Sequence, residues 1–344
     1  MKNRIYLVTG AAGNLGSSVC SQLLEKGERI RALVLKGDPA AQRVPRKVEI
    51  TIGDVTDTAS LERFFTVEDN TEIIVIHCAS IVTVSGDYSK KLYNVNVGGT
   101  QNIVDKCLEH KVKKLVYISS TSAIPELPNG QEIAEVNHFS PDGIVGHYGK
   151  TKALASQAVM DAVNEKGLDA SIVFPSGICG PDDYAYGPVA NFIIDYVSGK
   201  MPGGVAGSFN AVDVRDLADG VISCCDKGRK GEGYIMGNTC VSMKEMFQII
   251  SRVSGAKEVK TILSIPVANV MVKLLGLGSK ITGKPAILTA FMIYNLTRNN
   301  NFSSEKAKRE LEYHTRPFDE TISDTVKWLI GEGKIYFNVS ITQH

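Results

Sequence analysis

Through its first half the chain alternates short apolar runs with longer stretches in which apolar positions recur at a helical period. This alternation is typical of a parallel sheet whose strands are joined by crossover helices. Nearly every position inside the runs is apolar, as in strands that are covered on both faces. The pattern predicts an α/β fold built on a doubly wound parallel sheet, with strands at residues 5–8, 29–35, 48–52, 73–77, 115–119 and 170–174.

The pattern changes after Pro175, and glycine and proline become frequent up to residue 207. Short apolar runs at residues 212–214 and 234–236 predict two returns to the sheet. We expect Asp216, which follows the first of these runs, to cap a helix that begins at Leu217.

The rest of the chain is mostly helical in pattern, from residue 242 to about residue 334. We expect a smaller lobe here, packed on the carboxyl edge of the sheet, where open α/β sheets bind ligands. The predicted domains are residues 1–175, with the sheet completed by about residues 208–237, and a substrate-binding lobe of residues 176–207 and 238–344.

Composition narrows the range of functions. The chain has 344 residues and a formal net charge of +1, whereas proteins that must bind nucleic acid usually have a basic surface. The seven cysteines form no CxxC pair and no zinc spacing, so we predict free thiols, no metal site and a reducing, cytoplasmic location. No apolar run reaches the length of about 18 residues that a membrane span needs, and no signal peptide precedes the first strand, so we expect no stable membrane insertion.

A glycine-rich turn joins the first predicted strand to the first predicted helix, which ends at Glu25. Its glycines at positions 10, 13 and 16 allow a tight turn, close approach of a pyrophosphate, and packing of the helix on the strand. The helix N-terminus then directs free N–H groups toward the phosphates. The sequence therefore predicts a Rossmann-type dinucleotide site formed by Thr9, Gly10, Ala12, Gly13, Asn14, Leu15 and Gly16.

Tyr148 and Lys152 are four residues apart in a stretch with a helical pattern, so both side chains are expected on one helix face. A free tyrosine has a pKa of about 10 and is a poor acid–base catalyst at neutral pH. A nearby ammonium group and a positive nicotinamide ring would stabilise the phenolate and lower that pKa. We predict that Tyr148 exchanges a proton with a carbonyl or alcohol, and that Lys152 tunes it and holds the nicotinamide ribose.

The GxxxGxxG turn and the YxxxK motif together resemble the extended short-chain dehydrogenase/reductase superfamily, the NAD-dependent epimerase/dehydratase family. The second half is most similar to the dihydroflavonol-reductase-like branch, on segments at residues 180–182, 199–202, 212–218, 231–237 and 306–311. The resemblance implies NADP or NAD as cofactor, and it implies further cofactor contacts by Asp54, Val55, Cys78, Ala79, Ser80, Pro175 and Ile178.

Two more polar residues gain a role from the resemblance. The family has a Ser or Thr after the fifth strand that contacts the substrate oxygen; Ser120 is chosen among Ser119, Ser120, Thr121 and Ser122, with Thr121 in reserve. Asn96 matches a helix asparagine, for which proton relay and a structural hydrogen bond remain equal alternatives. For His77, at the end of the fourth strand, packing is favoured over a role as catalytic base.

The choice of dinucleotide depends on the end of the second strand. Lys36 favours the 2′-phosphate of NADP, whereas Asp38 is consistent with NAD. Of the two alternatives, we slightly favour NADPH.

For the substrate, apolar stretches at residues 262–277 and 286–296 are interpreted either as buried helix faces or as a pocket for a bulky hydrophobic carbonyl compound. A weak membrane contact is a third, less favoured interpretation of the same stretches. The expected function is hydride transfer between NAD(P)H and a carbonyl/alcohol pair. A nucleotide-sugar epimerase or dehydratase with tightly bound NAD is the first alternative. It is less favoured because Phe174 stands where related nucleotide-sugar epimerases have arginine. An NADP(H)-sensing binding protein is the second alternative, and the resemblance implies a homodimer as an open expectation.

Overall fold

In a computed structural model, which describes residues 3–282 and 289–336, seven parallel strands form one sheet. The spatial order is β10-β6-β5-β4-β1-β2-β3, with its reversal between β1 and β4. The strands are β1 (Arg4–Thr9), β2 (Arg29–Val34), β3 (Glu49–Ile52), β4 (Glu72–His77), β5 (Lys114–Ile118), β6 (Ala170–Pro175) and β10 (Gly233–Met236). The predicted Rossmann-type sheet and its six first strands are confirmed.

Helices cover both faces of this sheet and form most of the C-terminal part. They are α1 (Asn14–Glu25), α2 (Thr58–Phe65), α3 (Lys90–Tyr93), α4 (Thr100–Glu109), α5 (His147–Lys166), α6 (Pro188–Val197), α7 (Val214–Lys227), α8 (Met243–Ser254), α9 (Ile265–Thr282), α10 (Ala290–Thr297), α11 (Glu305–Leu311) and α12 (Phe318–Gly331). A π-helical segment (Asn94–Gly99) joins α3 to α4, and 3₁₀ turns lie at Pro39–Arg43 and Thr121–Ala123.

A second, smaller sheet corrects one prediction. Residues 212–213 belong to β9 (Ser208–Asp213), which pairs with β7 (Gly177–Cys179) and β11 (Thr239–Ser242) and does not return to the main sheet. An apolar run predicts a strand but does not specify its pairing partner. Of the two predicted returns to the main sheet, only β10 is found there. Two short strands, β8 (Gly204–Val205) and β12 (Ile262–Leu263), form a third pairing.

The start of α7 corrects a second prediction. Asp213 caps this helix by accepting from the Arg215 backbone N–H at 2.8 Å, three residues earlier than expected. Asp216 lies inside the first turn, where its carboxylate binds the Arg316 side chain. Asp216 therefore links α7 to the segment between α11 and α12, because its carboxylate is not needed as a cap.

The core follows the pleat of the central strands. On β1, Ile5 and Leu7 face one cluster, and Tyr6 and Val8 face the other, because successive side chains of a strand point to opposite faces. The first cluster is shared with α2, α4 and α5, and the second with α1, α7 and α11. A third cluster joins α6, α8 and α12 in the C-terminal lobe.

Among the described residues, no helix is both long enough and apolar enough to cross a bilayer.

Candidate active site

The glycine turn brings the end of β1 against the segment that follows β4. Gly10 has φ +66°, and a Cβ there would lie 2.7 Å from the Ala79 backbone nitrogen. A Cβ on Gly16 would lie 2.2 Å from the Gly10 carbonyl oxygen, so α1 can pack on the turn only with glycine at this position. The predicted glycine positions are thus required by backbone contacts.

The first turn of α1 is arranged to receive an anion. Its N-cap is Gly13, which has no side chain to accept from the N–H groups that follow. Within the described chain, the Asn14 side-chain oxygen is buried without a hydrogen-bond partner. Free N–H groups and an unsatisfied polar atom at a helix N-terminus fit the pyrophosphate and ribose of a dinucleotide.

Predicted residues next to the turn also have local partners. The Thr9 hydroxyl accepts from the Ala79 N–H at 3.2 Å and lies 2.7 Å from His77 Nδ1. Cys78 and Ser80 flank Ala79 on the same segment, and Ala12 and Leu15 belong to the second core cluster or pack against it. Burial raises the pKa of the Cys78 thiol, so it is neutral.

The residues predicted to distinguish NADP from NAD lie where β2 ends. Lys36 is exposed, whereas the Asp38 carboxylate accepts from the Ala40 N–H at 2.9 Å and caps the following 3₁₀ turn. Asp38 is therefore already engaged, whereas Lys36 forms no ion pair with any residue that the structure describes. The sequence reasoning did not identify Arg43, whose guanidinium lies 3.2 Å from the centre of the Tyr184 ring; no spacing in the sequence links the two.

On the neighbouring strand end, Asp54 accepts from the N–H and the hydroxyl of Thr56, both at 2.8 Å. Val55 is buried against Gly99, where a Cβ would lie 2.6 Å from the Val55 side chain. At the other end of the site, Pro175 closes β6 and Ile178 lies half-buried in β7.

Tyr148 and Lys152 both lie on α5, as the spacing predicted. The helix starts after Gly146, at φ +84°, and packs closely on the Ser120–Ser122 turn. A Cβ on Gly149 would lie 2.6 Å from the Ser122 carbonyl oxygen. Glycine between the two candidate catalytic residues therefore lets the helix approach the end of β5.

Lys152 is 2% exposed, and its ammonium group is held beneath the site by β5. Nζ donates to the Ile118 carbonyl at 2.7 Å and lies 3.4 Å from the Tyr117 hydroxyl. Burial lowers the pKa of Lys152 to about 7. Sequence reasoning did not identify Tyr117, although its position on β5 next to His77 of β4 could have indicated it.

The pKa of Tyr148 lies above its ordinary value, whereas the sequence analysis predicted a lowered one. Burial raises the pKa of Tyr148 to about 12, and a hydrogen bond with Ser120 acts in the opposite direction. Desolvation penalises the charged phenolate form of the tyrosine. In the protein itself Tyr148 is thus a proton donor at neutral pH, and a phenolate would need an additional positive charge.

The hydroxyl side chains that follow β5 differ in their contacts. The Ser119 hydroxyl lies 2.7 Å from the Ser156 hydroxyl, inside the packing between β5 and α5. The Ser120 hydroxyl accepts from the Ser122 N–H at 3.1 Å and lies close enough to the Tyr148 hydroxyl to lower its pKa. The structure therefore brings Ser120 together with Tyr148, while Thr121 is buried in the adjacent 3₁₀ turn.

Asn96 lies in the π-helical segment and is 1% exposed. Its side-chain oxygen accepts from the Ile81 N–H at 2.8 Å, and its amide donates to the Ile81 carbonyl at 3.0 Å and to Thr151 Oγ1 at 3.2 Å. These bonds fix the segment after Ser80 to α5. Of the two alternatives for Asn96, the structural hydrogen bond is the one that these contacts show.

His77 is enclosed between two threonines. Nδ1 lies 2.7 Å from the Thr9 hydroxyl and Nε2 lies 3.0 Å from the Thr100 hydroxyl, and the ring stacks on Tyr117 with centroids 5.6 Å apart. Burial, with Lys152 nearby, lowers the pKa of His77 to about 3. The packing interpretation of His77 follows from these contacts, since both ring nitrogens are occupied.

The C-terminal lobe reaches the site through α10. Phe291 packs against Gly86 and Gly146, where a Cβ would lie 3.2 Å and 2.5 Å from its ring. The His147 N–H donates to the Gly86 carbonyl at 3.3 Å, which joins the two segments beside Tyr148. Residues 262–277 and 286–296 form β12, α9 and α10 where they are described; residues 283–288 lie outside the described chain.

Comparison with known proteins shows the family of this chain. The family model for the NAD dependent epimerase/dehydratase family matches residues 6–237, from the first strand to the end of β10. The chain belongs to this family. Like other members of the extended short-chain dehydrogenase/reductase superfamily, it is a nicotinamide-dependent enzyme of the oxidoreductase or epimerase type.

Individual relatives agree with this membership. Sterol demethylase protein B of Methylococcus capsulatus is 31% identical over 254 residues, 72% of this chain and 74% of that protein. A putative dihydroflavonol 4-reductase of Synechocystis sp. is 26% identical over 347 residues, 96% of each chain, in line with the expected branch. The crystal structure of gox2253 has a TM-score of 0.84 at 30% identity and covers 96% of this chain and 99% of its own.

Proposed function

We propose that this epimerase/dehydratase-family enzyme reduces a bulky, hydrophobic ketone or aldehyde to the alcohol with NAD(P)H, reversibly. The observation that carries the proposal is the placement of Ser120 beside Tyr148, which lies one helical turn from the buried Lys152 on α5. Two hydroxyl donors beside one cation form the arrangement that a carbonyl oxygen needs when it becomes an alkoxide.

When bound, the nicotinamide supplies a hydride to the carbonyl carbon. The Tyr148 hydroxyl donates its proton to the carbonyl oxygen, while the Ser120 hydroxyl donates a hydrogen bond to the same oxygen and orients it. Lys152, held by the Ile118 carbonyl, stabilises the phenolate that Tyr148 becomes. Hydride and proton together convert the carbonyl into an alcohol, and the reverse steps oxidise it.

The proposal of a hydrophobic substrate rests on the surroundings of Tyr148. Phe291 closes one side, and apolar side chains at Val82, Val84 and Val145 are exposed on the nearby segments. The names of two relatives point to polycyclic compounds, a sterol and a dihydroflavonol. Phe174 is fully buried and stacks on Phe139, so this position offers no cation for a nucleotide-sugar diphosphate.

For the cofactor we propose NADPH. Lys36 is free at the end of β2, whereas Asp38, the group that would favour NAD, is engaged as a cap. A free cation can pair with a 2′-phosphate, and an engaged carboxylate is less available to the ribose hydroxyls. We also propose that residues 1–175 hold the cofactor and that the C-terminal lobe holds the substrate.

The test is a spectrophotometric assay of NADH and NADPH oxidation with a panel of hydrophobic ketones and aldehydes. Tyr148→Phe should lower kcat at least about 100-fold, the usual contribution of general acid catalysis, while cofactor binding by fluorescence titration stays unchanged. Ser120→Ala should lower kcat about tenfold, the effect of one lost hydrogen bond to a charged oxygen.

Ser119→Ala is the matched control, because it removes the same atom one residue away. It should lower stability through loss of the Ser156 contact but leave turnover close to that of the wild type. Undiminished turnover in Tyr148→Phe would contradict the proposal. Inactivity across the panel, together with tightly retained NAD and turnover of UDP- or GDP-sugars, would favour the epimerase alternative.

A further inference from the structure

Helix α9 exposes a stripe of apolar side chains. Val267, Val270, Met271 and Leu274 are 49%, 58%, 37% and 63% exposed, and they follow the spacing i, i+3, i+4, i+7. At about 100° per residue, these four side chains occupy an arc of about 100° on one face of the helix. Few helices leave such a face uncovered, because an amphipathic helix normally buries its apolar side.

The stripe is separate from the face that attaches α9 to the protein. Ala268 is fully buried and Val272 partly buried against Ile293 of α10 and Val205 of β8. Asn269 and Lys273 lie on a third, polar face. The helix therefore has one face packed on its own lobe, one polar face, and one apolar face that the described chain does not cover.

In the stretch of sequence that contains α9, all the charged residues are of one sign. Between Glu258 and Glu305 the chain contains no Asp or Glu, but it contains Lys260, Lys273, Lys280, Lys284 and Arg298. The whole chain has a net charge of only +1, so this positive segment is a local feature. An apolar face beside a cationic segment is the pattern of helices that lie in the interface of anionic membranes.

We propose that α9 docks this enzyme on the surface of an anionic lipid bilayer, with its apolar stripe in the interface and Lys273 near the lipid phosphates. A second copy of this chain fits the stripe less well. A symmetric contact would bring the same cationic segment from both copies together, and like charges oppose such pairing.

Docking here would place the bilayer close to the active site. Helix α9 packs on α10, and α10 brings Phe291 against the two segments that flank Tyr148. A hydrophobic substrate dissolved in the bilayer would then have a short path to the catalytic tyrosine. Membrane docking itself does not depend on the proposed reaction, and binding is measured without turnover.

The experiment is flotation of the purified full-length protein with vesicles of phosphatidylcholine alone, and of phosphatidylcholine and phosphatidylglycerol in equal parts. Wild-type protein should float with the anionic vesicles and remain in solution with the neutral ones. Val270→Ser with Leu274→Ser should weaken the partition coefficient at least about tenfold. Lys273→Gln should weaken it about fivefold, and added salt should weaken it further.

A matched control removes exposed apolar side chains elsewhere. Ile50 and Ile52 of the edge strand β3 are 44% and 53% exposed, so Ile50→Thr with Ile52→Thr should leave flotation unchanged. Failure of the wild type to bind anionic vesicles would overturn the proposal, as would equal binding to neutral vesicles. A wild-type dimer that Val270→Ser with Leu274→Ser converts to monomer, without vesicle binding, would identify a second copy as the partner instead.

Discussion

Replacing Lys152 with methionine should show how much the burial of this lysine lowers the free energy of unfolding. Methionine has a similar length and no charge. The Lys152 pKa is lowered by burial to about 7 in the folded protein, from an ordinary value near 10.5. Between these two values the unfolded chain binds the proton and the folded protein does not, so wild-type stability rises with pH across this window.

The size of the effect follows from linkage. From about pH 6 to about pH 9, a single group with these two pKa values changes the free energy of unfolding by about 2.5 kcal/mol. The methionine variant lacks this group. Loss of the hydrogen bonds to Lys152 should cost the variant about 1–2 kcal/mol. Even with this cost, the variant should be more stable than the wild type at pH 6. The advantage should disappear toward pH 9.

Urea denaturation of both proteins at several pH values measures the difference. Most other groups that titrate in this range are common to both proteins and cancel in the comparison. His77 and Cys78 interact with Lys152, but burial keeps both neutral in the folded protein across this window. Lys152→Met should also lose turnover, because no cation remains to stabilise the Tyr148 phenolate. A stability difference that does not change with pH would refute the lowered pKa of the buried Lys152.

Two further substitutions test the backbone around the site. Gly10→Ala should destabilise the protein by about 2 kcal/mol or more, because Gly10 has φ +66° and a Cβ there would contact Ala79. Gly98→Ala is the control, because a Cβ at Gly98 would have no neighbour within 4 Å. Thermal unfolding of both variants measures the difference. Asn96→Ala should cost about 2–3 kcal/mol in urea because both bonds to Ile81 are lost. Wild-type stability of the Asn96→Ala protein would argue against a structural role.

Much of the fold was predictable because parallel strands covered on both faces leave a strong apolar signal. The six strands of the first half appear where the runs predicted them, and the glycine turn lies between β1 and α1. The pairing of β9 was not predictable, because short strands in a small sheet have the same local pattern as strands of the main sheet. Similarly, the sequence offered both Asp213 and Asp216 as caps of α7; Asp213 takes this role, and Asp216 binds Arg316, a hundred residues away, a contact that local pattern does not predict.

In the site, spacing along one helix placed Tyr148 and Lys152 correctly on α5. Three-dimensional contacts decided what spacing could not: Ser119 faces Ser156, so Ser120 is the hydroxyl near Tyr148. The ionisation state of Tyr148 was also beyond the sequence, because desolvation depends on what surrounds the side chain. Tyr117 and Arg43 were missed because their partners are distant in sequence.

The π-helical segment between α3 and α4 constrains how this chain can change in length. Asn96 reaches toward Ile81 and α5, while Thr100, after the segment, reaches toward His77 and the glycine turn. Each residue in an α-helix rotates the chain by about 100°, so a single deletion or insertion here would turn one of these side chains away from its partner. The π-helical segment thus fixes the angular register between the contact with α5 and the contact with the glycine turn.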